Sequence, residues 1–333
     1  MDMTCSASNN VAAVLKSVIT SFLLLASFYS PARAGMAFDS LAALAESGAP
    51  AAFLAPLPAA EPPEATLLRP APGLSVYFVN VGQGDAIYME FPDGKNALID
   101  GGPSSSASGP LALFLKERGI SSIDHVVLTH PHADHYKGLQ HVFANYTVGA
   151  FYDTRVDNSG ATGDNAIRAK AAELGLPAFY PAPGDTLDWS AGVEVKVLSA
   201  CHEPFSSKNS ETLNNCSIVM RLAYEDASLL FTGDAGEDVE ARLVGEYGDA
   251  LRSRVLKVGH HGSRYSSTSP FLAAVRPERA YIEVGADNNY GHPHPEAVSR
   301  LLEAGAEVFR TDLSGTQEFS AAVPMLCMAV TAE

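Results

Sequence analysis

The sequence predicts a mixed α/β fold in which two β-sheets pack face to face with helices on the outside. Segments with the alternation or the short apolar runs of strands recur between residues 74 and 311, and helical segments lie between them. This succession of strand-rich blocks and helices occurs twice, which suits two sheets rather than one. The chain has 333 residues, 47% of them hydrophobic, so it can bury a stable core of this size unaided.

The first 34 residues have the pattern of a signal peptide. Lys16 precedes a largely apolar run over residues 18–29, and the Ala-Arg-Ala at 32–34 resembles a cleavage site. The run is shorter than the roughly 20 apolar residues that span a bilayer. An uncleaved anchor or a buried helix is the alternative. We expect export to the periplasm or the cell exterior, with no membrane span in the mature chain.

Residues 35–73 are predicted to be a linker rich in alanine and proline. This stretch contains seven prolines and its apolar residues keep no steady period. Proline removes backbone donors that a helix or a central strand would need, so the linker is expected to be extended or disordered. Regular structure begins at Leu74, and residues 74–333 are predicted to form one catalytic domain.

Within that domain each predicted element has its own signal. The first strand alternates apolar and polar residues, and a Pro-Asp-Gly turn at 92–94 separates the second strand from the third. A continuous apolar run at 126–129 is typical of a short buried strand. Strands are predicted at 75–81, 86–91, 96–99, 126–129, 193–198, 217–224, 228–232, 254–258, 280–284 and 307–311, and helices at 111–118, 166–174, 237–247 and 295–304.

A dense cluster of potential metal ligands follows the strand at 126–129. The segment His-Pro-His-Ala-Asp-His at 130–135 holds four such side chains within six residues. His and Asp are expected ligands of zinc, manganese and iron, and a tight loop at a strand end can direct them at one point. A polar surface loop is the alternative, but three of only ten His in the chain lie here. The cluster therefore predicts a metal site.

Five further segments accompany this cluster in a fixed order. They are Val-Gly-Gln-Gly-Asp-Ala at 81–86, Ile-Asp-Gly-Gly at 99–102, Phe-Thr-Gly-Asp at 231–234, Lys-Val-Gly-His-His-Gly-Ser at 257–263 and Asn-Tyr-Gly-His-Pro at 289–293. Together with H-x-H-x-D-H, they resemble the metallo-β-lactamase superfamily, and within it the corresponding domain of ComEC-type DNA-uptake proteins and their stand-alone relatives. The resemblance covers about residues 74–320 and implies an αββα sandwich.

The resemblance implies a site for two divalent metal ions, with zinc expected and manganese as the alternative. The first metal would be held by His130 and His132, and the second by Asp134 and His135. Asp234 matches the carboxylate that bridges the two. Two metals roughly 3.5–4 Å apart activate a shared water and clamp an anionic oxygen. Asp134 would also act as a catalytic residue that orients this water.

Further residues receive roles from the same resemblance. His292 matches the last His ligand, and Asp100 is expected to support the His loop from outside the ligand set. His260 and His261 are predicted catalytic residues, one entering the site as a ligand or a donor to a substrate oxygen while the other packs beside it. We favour His260 for the contact with substrate. His294 is interpreted as the start of a helix.

One position departs from the superfamily pattern. A His ligand of the first metal is commonly expected where this chain has Asn-Asn-Cys-Ser at 214–217. The ComEC-like subgroup also lacks His there, so the departure supports the subgroup and leaves the first metal with fewer protein ligands. Cys216 as a thiolate ligand is one interpretation. A buried thiol, or a disulfide with Cys201, is the favoured one.

The charge of the chain bears on its substrate. The formal net charge is −16, from 38 acidic and 22 basic residues. Such a surface repels phosphate backbones, so DNA is the less favoured partner and a phosphate ester or another small substrate is expected. The predicted function is an exported two-metal hydrolase, a phosphodiesterase or a nuclease-like enzyme. Ser263, Ser266 and Ser267 are predicted to donate hydrogen bonds to its substrate.

Two alternatives stay open. One is a metallo-hydrolase of lactams, lactones or thioesters, although the missing His argues against a closed three-His site. The other, from a different class, is a non-catalytic metal-binding protein. A pocket lined with hydrogen-bond donors would favour the phosphodiesterase. An apolar groove would favour the lactamase, and a closed metal site would favour the binding protein. The sequence makes no prediction of oligomeric state.

Overall fold

The structure of the chain is a computed structural model that describes residues 73–321. The predicted signal peptide, the linker up to residue 72 and the residues after 321 lie outside this range, so those predictions stay predictions. Of the helices within residues 73–321, none is long and apolar enough to cross a membrane.

The described residues form sixteen strands and eight α-helices. The strands are β1 (Leu74–Phe78), β2 (Ile87–Glu90), β3 (Asn96–Ile99), β4 (Ser122–Val127), β5 (Thr147–Tyr152), β6 (Asp157–Asn158), β7 (Ala178–Phe179), β8 (Thr186–Ser190), β9 (Val193–Ser199), β10 (Ser206–Ser207), β11 (Val219–Tyr224), β12 (Ala227–Phe231), β13 (Val255–Lys257), β14 (Arg279–Ile282), β15 (Glu307–Arg310) and β16 (Gln317–Ala321). The helices are α1 (Pro110–Glu117), α2 (Ala133–Asn145), α3 (Gly163–Glu173), α4 (Ser210–Asn214), α5 (Glu237–Tyr247), α6 (Ser269–Val275), α7 (Pro295–Glu303) and α8 (Thr311–Ser314).

Fourteen of the strands build two seven-stranded sheets of similar design, and β6 and β10 form a separate two-stranded sheet. The first sheet has the order β16-β1-β2-β3-β4-β5-β7, and the second has the order β15-β14-β13-β12-β11-β9-β8. In the first sheet β3, β4, β5 and β7 run parallel, and in the second β12, β13, β14 and β15 do so. The remaining pairs of these sheets are antiparallel. Each sheet therefore has a parallel part whose strands all end at one edge.

The alternation of side chains along the strands explains how the layers pack. In β1, Leu74, Val76 and Phe78 face the second sheet, whereas Tyr77 faces the helices. The layer between the sheets is the largest buried apolar cluster. Helices α1 to α3 cover the outer face of the first sheet, and α5 to α7 cover that of the second. These four layers confirm the predicted αββα sandwich.

The main difference from the sequence prediction is α2, which was not predicted. This helix begins inside the His cluster, with His132 at its N-cap and Asp134 in its first turn. The first turn of this helix therefore holds potential metal ligands. The regular spacing of apolar residues that indicates a helix is missing there. The helix packs so closely on the loop after β3 that any Cβ at Gly138 would overlap the carbonyl oxygen of Gly101. The other elements that were not predicted are the strands β5, β6, β7, β8, β10 and β16 and the helices α4, α6 and α8.

Candidate metal centre

The predicted ligands meet at the edge where the parallel strands of both sheets end. In the first sheet, β3 and β4 end shortly before Asp100 and His130. In the second sheet, β12 ends before Asp234, and β13 ends before His260 and His261. Loops that follow neighbouring parallel strands converge at one edge of a sheet. The sandwich therefore brings together side chains that are more than 100 residues apart in sequence.

His130 and His132 direct one ring nitrogen each at the same point. His130 Nε2 and His132 Nδ1 lie 2.9 Å apart. The opposite nitrogens have protein partners, with His130 Nδ1 3.1 Å from Thr129 Oγ1 and 3.4 Å from Ser217 Oγ. His132 Nε2 lies 3.3 Å from Ser210 Oγ. Hydrogen bonding at the far nitrogen is the usual way to orient an imidazole toward a cation.

Asp234 lies at the centre of the cluster. Its Oδ2 atom is 3.4 Å from His135 Nε2 and 3.7 Å from His130 Nε2. The same oxygen is 3.5 Å from His261 Nε2 and 3.8 Å from His260 Nε2. Its Oδ1 atom is buried and has no hydrogen-bond partner within residues 73–321. A carboxylate surrounded by imidazole nitrogens has the placement of a bridging ligand.

His135, His261 and Asp134 face Asp234 from one side. Donor atoms of these three side chains lie within 4.8 Å of one another, and His261 Nε2 is 3.5 Å from Asp134 Oδ2. The Nε2 atoms of both His are buried without a partner in the described part of the chain. His135 Nδ1 is 2.7 Å from Asp100 Oδ2, as expected for a carboxylate that supports a ligand. These orphaned nitrogens fit a bound cation.

His292 does not join this group. Its ring centre is 5.3 Å from that of His260 and 6.2 Å from that of His261. Among the described residues, the donor groups that lie within 4.8 Å of one another include His261 and omit His292. His261 thus lies among the donors, and the prediction that His292 is a metal ligand stays a prediction. His294 is the N-cap of α7, as predicted, and its Nδ1 accepts a hydrogen bond from the Arg264 N–H at 3.1 Å.

The His pair after β13 has an unusual backbone. His260, His261 and Gly262 have φ angles of +47°, +54° and +82°. This left-handed conformation is unfavourable for residues that carry a Cβ, so it needs support from surrounding contacts. His261 is buried among the donors, whereas His260 is only partly buried at the open side. Both side chains therefore reach the site, at different depths.

The imidazoles and carboxylates of the buried cluster shift each other's pKa values in opposite directions. Burial alone would lower the pKa of His135, but Asp234 and Asp100 outweigh burial and raise it well above its usual range. Burial alone would raise the pKa of Asp234, but His261 and His135 outweigh burial and lower it well below its usual range. Asp234 therefore stays ionised at the centre of the cluster. Imidazoles and carboxylates together are common ligands of divalent cations.

A cavity of about 260 Å³ opens onto these donors. Its other lining side chains are mostly polar and can form hydrogen bonds: Gln83, Asn158, Ser210, Asn214, Tyr290, His260 and His292. The predicted Ser263, Ser266 and Ser267 are absent from this lining because all three are buried beneath the loop. Ser266 Oγ, for example, donates to the Ala235 carbonyl at 2.9 Å. The prediction that these serines bind substrate is wrong.

A second cavity of about 400 Å³ adjoins the first. The two cavities share Ser210, Asn214, Asp234 and His260. Glu211, Glu237 and Asp238 line the second cavity, and we call these three residues the acidic arm. The exposed ring of Tyr265 also lines it. A substrate bound at the donors therefore has an acidic surface on one side.

Cys201 and Cys216 form a disulfide. The favoured interpretation of Cys216 included this pairing, and the thiolate-ligand interpretation is wrong. Cys216 packs with Val156 and Leu213 in a small buried cluster. The crosslink thus anchors the segment that carries Ser210 and Asn214 into the wall of both cavities.

The chain is similar in sequence to several known proteins. A family model described as the metallo-beta-lactamase superfamily matches residues 79–285. The chain is 33% identical over 244 residues to the competence protein ComA of Neisseria gonorrhoeae, covering 72% of this chain and 31% of that protein. It is 29% identical over 260 residues to the ComE operon protein 3 of Bacillus subtilis (strain 168), covering 73% of this chain and 32% of that protein. The chain spans about a third of the length of these curated relatives.

A solved structure of similar fold is a mutant of the CmlA beta-hydroxylase. It aligns with a TM-score of 0.50 and 16% sequence identity, covering 76% of this chain and 55% of that one. At this identity the likeness concerns the fold alone.

Proposed function

The chain belongs to the metallo-β-lactamase superfamily, with competence proteins among its relatives, and from this we propose that it is a two-metal phosphodiesterase. The superfamily supports a metal-dependent hydrolase, and the phosphodiester substrate is the further step. The observation that carries it is a cluster of buried, unpartnered imidazole and carboxylate atoms beside a cavity lined with neutral hydrogen-bonding groups.

The donors divide into two metal positions. In our proposal the first metal is held by His130 and His132, the second by Asp134, His135 and His261, and Asp234 is shared. His and Asp suit zinc, and manganese is the alternative. When bound, such ions supply Lewis-acid activation of water and of a phosphoryl oxygen. His261 here replaces His292, which is assigned to the substrate side.

The remaining side chains position the reactants. Asp134 faces both the donors and the cavity, where it can orient a water. His260 and His292 lie at the open side, where they can donate hydrogen bonds to phosphoryl oxygens. Burial and the neighbouring imidazoles lower the pKa of His292 to about 4, so its ring is neutral at pH 7. These two His therefore act as neutral donors that stabilise developing negative charge.

The acidic arm and the net charge favour a short phosphodiester over a long nucleic acid. Within the described range, the residues that line the two cavities include neither Lys nor Arg. A polyanion would place further phosphates against Glu211, Glu237 and Asp238 without compensating charge. We therefore propose a substrate with one phosphodiester group, and DNA stays the less favoured partner. The polar wall argues against the lactamase alternative, and the open cavity argues against a purely structural metal site.

Export to the periplasm or the cell exterior is part of the proposal. The predicted signal peptide lies outside the described residues. The disulfide between Cys201 and Cys216 supports export because disulfides persist mainly in oxidising compartments.

Hydrolysis of bis(p-nitrophenyl) phosphate tests the proposed reaction. The purified protein, loaded with zinc or with manganese, is expected to turn over this substrate, and Asp234→Ala is expected to abolish turnover. Asp249→Ala is the matched control because its side chain is 88% exposed on the surface. A lactam chromophore is measured in parallel. Metal-loaded protein that hydrolyses the lactam and leaves the phosphodiester intact would overturn the proposal.

A further inference from the structure

A buried ion pair lies directly behind His261. Lys257 Nζ is 2.7 Å from Asp85 Oδ2, and neither side chain is exposed by more than 2%. Asp85 Oδ1 is in turn 3.1 Å from His261 Nδ1. A continuous series of charged and polar groups therefore runs from the core into the donor cluster. Neither Asp85 nor Lys257 lines the cavities, so neither can contact a substrate there.

We infer that Asp85 and Lys257 are positioning residues that hold His261 as a ligand of the second metal. The inference rests on the proposed metal pair and is independent of the substrate. It assigns a function to two residues whose motifs were recognised in the sequence but whose roles were not.

The hydrogen bonds of His261 fix which nitrogen is free. Its Nδ1 is 2.9 Å from the carbonyl oxygen of Glu283, and a carbonyl can only accept, so Nδ1 carries a proton. Asp85 Oδ1 lies 3.1 Å from the same nitrogen and has no hydrogen-bond partner of its own in residues 73–321, so it contributes its charge beside the N–H. In the neutral ring the lone pair is then on Nε2. That atom is 3.5 Å from both Asp134 Oδ2 and Asp234 Oδ2 and has no hydrogen-bond partner in residues 73–321.

The lysine allows a charged carboxylate to occupy this depth. An ionised group buried without a partner is strongly unfavourable, and pairing it with an opposite charge offsets that cost. Lys257 also donates to the Val258 carbonyl at 2.9 Å, which fixes its own position. Asp100, the corresponding support of His135, is stabilised differently, by the N–H and the hydroxyl of Thr129 at 2.8 and 2.6 Å. His135 and His261 are thus each supported by a buried carboxylate, but hydrogen bonds stabilise the first carboxylate and an ion pair stabilises the second.

Asp85 also connects two of the proposed ligands of the second metal, Asp134 and His261. Its backbone N–H donates to the Asp134 carbonyl at 3.3 Å. The preceding Gly84 approaches so closely that any Cβ there would overlap the same carbonyl oxygen. The loop before β2 therefore contacts the first turn of α2 through its backbone and His261 through the Asp85 side chain. A change at Asp85 is expected to affect the second metal more than the first.

Three variants test this role: Asp85→Asn, Lys257→Met and the double variant with both changes. Zinc stoichiometry and stepwise affinity are measured by competition with a chromophoric chelator, and Co²⁺ spectra report the coordination of each metal. The melting temperature of the metal-free protein is measured beside them. The double variant Asp153→Asn/Arg168→Met is the matched control, because that pair, 2.7 Å apart with Asp153 fully buried and Arg168 19% exposed, touches none of the proposed ligands.

Asp85→Asn is expected to lower the affinity for the second metal by about 10- to 100-fold and to leave the affinity for the first nearly unchanged. This is the usual effect of removing a carboxylate that supports a metal ligand. Lys257→Met is expected to lower the melting temperature, because it leaves a buried charge unpaired. The double variant removes both charges, so its melting temperature should return to that of the wild type. Its affinity for the second metal should stay as low as that of Asp85→Asn. The Co²⁺ spectrum should change only in the second step.

Two results would overturn the inference. If the double variant binds both metals with the affinity of the wild type, the ion pair only stabilises the fold. If Asp85→Asn weakens both metals equally and the control pair does the same, the effect is general destabilisation. A wild-type protein that binds fewer than two metals would instead overturn the metal pair of the proposed function, and this inference with it.

Discussion

Asp100 Oδ2 lies 2.7 Å from His135 Nδ1, and both side chains are completely buried. The contact leaves His135 Nε2 facing Asp234. A carboxylate that holds the far nitrogen of an imidazole fixes the orientation of the ring and increases its basicity toward a metal. The relationship joins the end of a strand in the first sheet to a proposed metal ligand in the first turn of α2.

We predict that Asp100→Asn weakens metal binding by about 10- to 100-fold, because Asn lacks the charge that supports His135. Isothermal titration with zinc measures the change. Asp249→Asn serves as the control because its side chain is 88% exposed. Affinity equal to that of the wild type would show that Asp100 contributes only to packing.

A second prediction concerns pH and His125, a residue outside the groups of candidate metal donors. Burial lowers the pKa of His125, which packs on Trp189 with ring centres 5.5 Å apart. As the pH falls below about 6.5, the unfolded chain binds a proton that the folded chain does not, so acidification lowers the free energy of unfolding. The loss is at most about 1.4 kcal/mol per pH unit for one proton.

Urea denaturation of the metal-free protein and of His125→Phe, from pH 7 to pH 5, isolates this contribution. Phe keeps an aromatic ring beside Trp189 and cannot titrate. The wild type is expected to lose stability relative to the variant on acidification. Parallel pH profiles for the two proteins would contradict the prediction.

The disulfide gives a third prediction. Its cysteines are 15 residues apart in sequence, and a crosslink that closes a loop of this length restricts the unfolded chain by about 3 kcal/mol. Cys201→Ala/Cys216→Ala is expected to lower the free energy of unfolding by about 2–4 kcal/mol. Guanidinium denaturation with and without reductant measures this, and the double variant should not respond to reductant. A wild type that is equally stable when reduced would contradict it.

The fourth prediction concerns the acidic arm. Replacing Glu211 and Glu237 by Gln and Asp238 by Asn should raise kcat/KM for a DNA oligonucleotide by about 3- to 10-fold at low salt, since like charges near the site repel phosphates. Turnover of bis(p-nitrophenyl) phosphate should change little, and added salt should reduce the gain. The control is a triple variant on other parts of the surface, with Glu246 and Glu278 replaced by Gln and Asp249 replaced by Asn. Equal DNA activity in all three proteins would show that the arm does not select substrates.

Much of the fold could be predicted from the sequence where one signal was strong. The strand Asn96–Ile99 and the helix Glu237–Tyr247 have the predicted bounds. The first is bounded by turn residues and the second has a clear helical period. Helix α2 could not be predicted this way, because His132 and Asp134 at its start carry metal-ligand chemistry instead of an apolar pattern.

The candidate site shows the same limit. The cluster of His130, His132, Asp134 and His135 is local, so its sequence alone points to a metal. The choice between His261 and His292 depends on how two loops of the second sheet pack, and motif order does not contain that information. Asp85 and Lys257 are 2.7 Å apart in space but lie in separate motifs, and only the packed sandwich reveals their pairing.

The metal content of the purified protein is the most direct test of the two-metal centre. Elemental analysis after dialysis against zinc, or against manganese, should give two equivalents per chain for the wild type. Asp234→Ala should retain no more than one, because the shared carboxylate contributes to both positions. One equivalent or none in the wild type, or two in Asp234→Ala, would contradict a centre organised around Asp234.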